Sequence, residues 1–127
     1  MAGEIVTRTR RYQLGEDGIL RTSSLPGAEE TLAHAMENAR AAESLAGGRR
    51  YPVLADSRQI KSMDREARAF YAKPEGTTMV LAVAILVQSP VQRTLVNFFL
   101  AVNKPQFPVR FFTSEDEAVA WLRGFTA

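Results

Sequence analysis

The run Met79 to Val87 is apolar throughout and shows none of the alternation of a strand with one wet face. It reaches about half the ~20 residues that a membrane-spanning helix requires. Such a run folds as a central parallel strand covered on both faces, which obliges the chain to supply helices around a sheet. The segments on either side of it meet that demand. Ile5 to Leu14, rich in Thr, Arg and Tyr, is extended with poor alternation. Val6, Arg8, Arg10 and Tyr12 share one face, as at a sheet edge. Gly15-Glu16-Asp17-Gly18 is a turn, and Ile19 to Leu25 is its antiparallel return.

After Pro26-Gly27, helical spacing runs from Ala28 to Ala46, with Leu32, Ala35, Met36, Ala39 and Ala42 as the apolar stripe. Glu29 and Glu30 fall in the first turn, where they complement the helix dipole, and Gly47-Gly48 ends the helix. Tyr51 to Asp56 is a short buried strand. Ser62 or Asp64 caps a second helix reaching about Ala72, stopped by Pro74 and Gly76. Ser89-Pro90 opens a third that continues to about Asn103, and Pro105 and Pro108 bar its extension. Val109 to Thr113 is the last strand. Ser114 and Glu117 form a capping box before a final helix that buries Ala118, Val119, Leu122 and Phe125. The predicted order is β-β-α-β-α-β-α-β-α. This is a single α/β domain over residues 1–127, with a mainly parallel sheet of about four or five strands and an antiparallel N-terminal hairpin.

Composition narrows the chemistry. The chain has no cysteine, which excludes a disulfide framework, a thiolate zinc site and a cysteine nucleophile together. Lys and Arg number 16 against 14 Asp and Glu, a surplus too small to be a nucleic-acid footprint although the pI is about 9.3. Neither G-x-G-x-x-G nor the Walker pattern can be written from the glycines, so no nucleotide cofactor is expected, nor any metal. Met1 to Glu4 carries no basic, apolar leader, so the expected location is cytoplasmic, with no transmembrane segment.

The element order carries a resemblance. Val53-Leu54-Ala55-Asp56 with Asp64 further on, Leu81 to Val87, Ser89-Pro90 opening a helix, and Val109 to Ser114 followed by Glu117-Ala118 resemble the STAS domain, the SpoIIAA-like fold of anti-anti-sigma factors. Pro52 to Arg58, Met63 to Arg68, Phe107 to Phe112 and Ala120-Trp121-Leu122 resemble a divergent bacterial branch described as STAS/SEC14 domain-containing, mostly of unknown function. The resemblance implies the fold and a regulatory, protein-binding role. In the switch family the second Asp opens D-S-S-G-L; here Asp64 is followed by Arg65 and Glu66, so the phosphorylatable serine of that motif is missing.

Few residues are placed for chemistry. His34 lies in a helix of Ala and Glu, expected on its wet face, and no nucleophile-elbow motif accompanies it. No catalytic residue is therefore expected. Asp56 and Asp64 could pair as acid and base, but loop ordering and helix capping explain them. Arg58, Lys61, Arg65 and Arg68 cluster around the same loop, at the carboxyl end of a strand, where open α/β sheets bind ligands. Arg8, Arg10, Arg11 and Arg21 form a second basic group, explained as edge protection, and no nucleic-acid partner is expected. In the third helix, Val91, Leu95, Phe98 and Val102 form the core stripe. Val96 and Leu100 point away from it and Phe99 borders both, so a second copy of the chain or a partner is expected there. The leading expectation is a non-catalytic interaction domain, a homodimer with an unknown protein partner. The alternative is a sensor of a small ligand or anion, such as a nucleotide or phosphate, using Asp56, Arg58, Lys61, Asp64, Arg65 and Arg68.

Overall fold

The computed structural model describes residues 3–73, 79–89, 91, 93, 94 and 105–126. Three strands open the chain: β1 (Glu4–Val6), β2 (Arg10–Leu14) and β3 (Leu20–Ser24). The segment expected as one strand is two, folded back antiparallel with Glu4 opposite Gln13 and Val6 opposite Arg11. The cause is Thr7, whose hydroxyl accepts the amides of Thr9 and Arg10 while its own amide donates to Arg10 O at 2.8 Å. A Thr side chain satisfying the backbone in this way turns the chain where a ladder would otherwise continue. The β2–β3 hairpin closes as expected, with Gly18 at φ 83 and the Asp17 carboxylate accepting Ile19 N.

Then follow β4 (Glu29–Glu30), α1 (Leu32–Ala46), β5 (Tyr51–Asp56), β6 (Ser62–Met63), α2 (Arg65–Ala72), β7 (Val80–Leu86), β8 (Val109–Phe112) and α3 (Glu115–Leu122). The main sheet has six strands in the order β1-β2-β3-β5-β7-β8, one more than expected because the first strand is split. β1, β2 and β3 are antiparallel neighbours, while β3, β5, β7 and β8 run parallel. β4 and β6 form a separate parallel pair.

That pair also moves the start of α1. The helix begins at Leu32, capped by Thr31, rather than at Ala28, because Glu29 and Glu30 pair in register with Ser62 and Met63 instead of entering the first turn. Thr31 and His34 form a reciprocal capping box, and Gly47 at φ 60 ends the helix in the left-handed region. Its buried face is Ala35, Asn38, Ala39, Ala42 and Ala46; Met36, expected inside, is exposed.

The two faces of the sheet differ. α1 packs on α2 over one face, where Tyr12, Leu20, Val53, Ala42 and Ala46 cluster. α3 lies on the other, where Leu54, Ala84, Leu86 and Phe112 meet Ala118 and Leu122. In β7, Val80, Ala82, Ala84 and Leu86 are buried, and the alternate Leu81, Val83 and Ile85 are half-buried. The register places Val6, Arg11, Ser23, Asp56, Leu86 and Phe112 in one row across the sheet. This face is thus apolar beneath α3 and polar over β2 and β3. Val91, expected in the core, is exposed; Val96, Phe99 and Leu100 lie outside the described residues.

Candidate functional site

The segment joining β5 to α2 gathers the residues that the sequence singled out. Asp56 ends β5, and its carboxylate takes Arg58 N at 3.1 Å, Nε at 2.9 Å and Nη2 at 2.7 Å. Burial works against the charge on Asp56, but these bonds outweigh it and hold the carboxyl below its usual range. The same bond raises the Arg58 guanidinium above its ordinary value. Asp64 caps α2, its Oδ1 accepting Ala67 N at 2.8 Å. The capping position left open between Ser62 and Asp64 therefore belongs to Asp64, and Ser62 is an exposed residue of β6. Arg68 reaches back to the carbonyl of Met63.

Lys61 faces Glu29 at 3.9 Å with both side chains largely in water, a geometry that contributes little. Arg65 and Glu66 stand exposed on the first turn of α2. Asp56 and Arg58 are brought together, whereas Asp56 and Asp64 serve different partners. Among the described residues, no group of three or more His, Asp or Glu is arranged to hold a metal ion.

The loop backbone is bonded throughout. Gly27 N donates to Gln59 O at 3.0 Å, Lys61 N and Ser62 N to Ala28 O at 2.9 and 3.2 Å, and Asp64 N to Glu30 O at 3.0 Å. Beside it, on the polar part of the α3 face, a cleft of about 150 Å³ is lined by Arg11, Gln13, Arg21, Ser23, Asp56 and Glu115.

A buried polar network accompanies this loop, and sequence reasoning missed it. Arg10, assigned to edge protection, is 4% exposed, and its Nε donates to Glu30 Oε2 at 2.8 Å. Glu30, assigned to the first turn of a helix, is itself fully enclosed and also accepts Thr9 Oγ1 at 3.0 Å and Tyr71 OH at 3.3 Å. Asn38 Nδ2 lies 2.9 Å from Tyr71 OH, 3.0 Å from Thr9 Oγ1 and 3.2 Å from Glu30 Oε2. Its Oδ1 accepts the Thr7 hydroxyl at 2.6 Å.

Burial pushes the Tyr12 phenol up to about 12, and burial likewise raises Tyr71. Burial opposes the charge on Arg10, but Glu30 overcomes it and the net displacement is upward. One signal was available: Arg10 has the parity of Tyr12, whose side chain must be inside. The other three arginines of that basic group are paired nearer the surface, Arg8 with Glu37, Arg11 with Glu4 and Arg21 with Asp17. His34, expected on the wet face, is half-buried, and its Nδ1 accepts Thr31 N at 3.2 Å.

The parallel core, the antiparallel hairpin and the crossover helices on one face define an α/β protein of SpoIIAA-like fold. A protein of the DUF3478 family from Shewanella loihica PV-4, described as uncharacterized and SpoIIAA-like, superposes with a TM-score of 0.59 at 17% identity, over 96% of this chain and 92% of that one. Residues 12–126 match the model of DUF7793, a domain of unknown function, and the chain belongs to that family. A protein of unknown function from Arthrobacter sp. FB24 is 40% identical over 87% of this chain and 96% of its own, with a TM-score of 0.36. No curated protein matches the chain. No helix among the described residues is long and apolar enough to cross a membrane.

Proposed function

We propose that this chain is a non-catalytic, regulatory interaction domain that docks a protein partner through residues 57–66. The observation that carries this reading is a contrast within the loop. Its backbone is held by hydrogen bonds to residues 27–30, while Gln59, Lys61, Ser62, Arg65 and Glu66 all present exposed side chains. A surface ordered before contact loses less entropy when a partner arrives. The carboxylates that acid–base chemistry would need are engaged otherwise, Asp56 in holding Arg58 and Asp64 in capping α2. The same clamp on Arg58 gives the anion-sensor alternative less support.

Arg65 and Glu66 give the surface a fixed charge pattern where the resembling switch family has serines. Control by phosphorylation at that position is accordingly no part of this reading. Self-association through Val96, Phe99 and Leu100 belongs to it on sequence grounds, and Leu100→Glu is expected to turn a dimer into a monomer in light scattering. A wild type that is monomeric across the micromolar range removes that element.

The absence of cysteine makes the main test clean. A thiol-directed photocrosslinker is placed at Ser62→Cys or, as a control, at Glu16→Cys in the hairpin turn. In the native cells, a discrete adduct is expected from position 62, lost on adding Arg65→Glu, and absent from position 16. A folded Ser62→Cys protein that yields no adduct, or the same adducts as the control, rejects the proposal.

A further inference from the structure

Across residues 25–31 and 57–64, Glu30 is the single buried residue. The apolar residues of the β4–β6 pair and its loops, Leu25, Ala28, Ile60 and Met63, are only half-buried, so hydrophobic burial holds these segments less firmly than the sheet core. Ser57 N bonds to Leu86 O of β7, but Gln59, Lys61, Ser62 and Asp64 all bond to residues 27–30, and the one fully buried side chain of that segment is Glu30. There the carboxylate meets groups from separate parts of the chain: Arg10 of β2, Thr9 of the preceding turn, and Tyr71 of α2, with Asn38 of α1 beside it.

We infer that the Arg10–Glu30 pair, with Asn38 and Tyr71, is an ionic anchor that sets the conformation of residues 57–64 and so positions the proposed docking surface. Arg10 and Glu30 are positioning residues, since neither is exposed to a partner. A carboxylate in this setting is held only by its partners, because an unpaired buried charge is strongly disfavoured. Loss of the pair releases β4, and with it the acceptors that order Lys61, Ser62 and Asp64.

The functional meaning of the anchor rests on the docking role proposed above, but its test reads backbone amides and requires no partner. Hydrogen exchange is measured in Glu30→Gln and in the double variant Arg10→Met/Glu30→Ala, which leaves neither charge unpaired. The amides of Gly27, Lys61, Ser62 and Asp64 are expected to exchange at least about tenfold faster than in the wild type, while those of Leu54 and Ala84 keep their protection. Glu29→Gln, at the surface pair with Lys61, is expected to leave all of them unchanged. Where Glu30→Gln fails to fold, the double variant decides. Loop amides as protected as in the wild type, or loop and sheet amides accelerating together, overturn the anchor. Neither result bears on whether position 62 crosslinks to a partner, so the two proposals fail separately.

Discussion

Arginine meets carboxylate in two unlike settings in this molecule. The Arg10 and Glu30 side chains are 5% and 0% exposed and share their bonds with Thr9, Asn38 and Tyr71. The Arg58 and Asp56 side chains, paired at a similar distance, are 38% and 26% exposed and bond to each other. Geometry alone does not rank them. In the buried pair each charge has left water, so either partner alone is an uncompensated charge in a poorly polarisable interior. In the loop, water solvates whatever the partner gives up, and the pair's net contribution is small. The buried pair therefore governs which conformations are accessible, and the exposed one trims a surface that is already formed.

Truncation separates the two regions most strongly. Glu30→Ala is expected to lower unfolding stability in urea by about 3–5 kcal/mol, because it strands Arg10. Arg58→Ala is expected to lower it by less than about 1 kcal/mol. The double variant Arg10→Met/Glu30→Ala should recover a substantial part of the Glu30→Ala loss. Equal losses at Glu30 and Arg58 would remove the distinction between the regions.

The same contrast explains what was legible in the sequence. The Met79–Val87 run and the Tyr51–Asp56 run announce parallel strands because an unbroken apolar pattern has few other uses. Asp56, Asp64 and their basic neighbours are legible as a candidate site because a strand end, a capping carboxylate and a charge cluster are all local signals. The Arg10–Glu30 anchor is not. Its members are far apart in the chain, and local pattern explains each of them separately, Arg10 at an edge strand and Glu30 in a first helical turn. What overrides those local explanations is the Thr7 turn, which splits the first strand, and the β4–β6 pairing, which holds Glu30 outside the helix. Both are long-range or side-chain-to-backbone effects that periodicity does not register.

Alkali should act on the buried region alone. Tyr12 and Tyr71 are protonated in the fold well above the ordinary phenol value, burial being the main cause. A raised folded pKa means that the unfolded chain releases its proton first. The stability is intact below the unfolded value of about 10 and is lost as pH climbs from there toward the folded value. Each such tyrosine steepens the loss by up to about 1.4 kcal/mol per pH unit. Urea midpoints between pH 9 and about 11.5 should fall less steeply in Tyr71→Phe than in the wild type. Parallel slopes would show that Tyr71 ionises as readily in the folded protein as in the unfolded one.

Acid should act on the exposed pair, with the opposite sign and a smaller size. Arg58 and the loop amide hold the Asp56 carboxyl below its usual range despite the opposing effect of burial. A lowered folded pKa means that the unfolded chain takes up its proton first. The contribution of Asp56 is complete above the unfolded value of about 4 and disappears as pH falls through the folded value. Asp56→Asn isolates the charge, because the Asn Oδ1 can still accept the amide of Arg58 and keep the turn. At neutral pH the variant is expected to be less stable by at most about 1 kcal/mol, a figure kept small by the partial exposure of both side chains. That gap should close as pH falls below about 4, as the wild-type carboxylate becomes as neutral as the amide that replaces it. A gap that persists unchanged in acid would mean that shape, and not charge, is what Asp56 contributes to the loop.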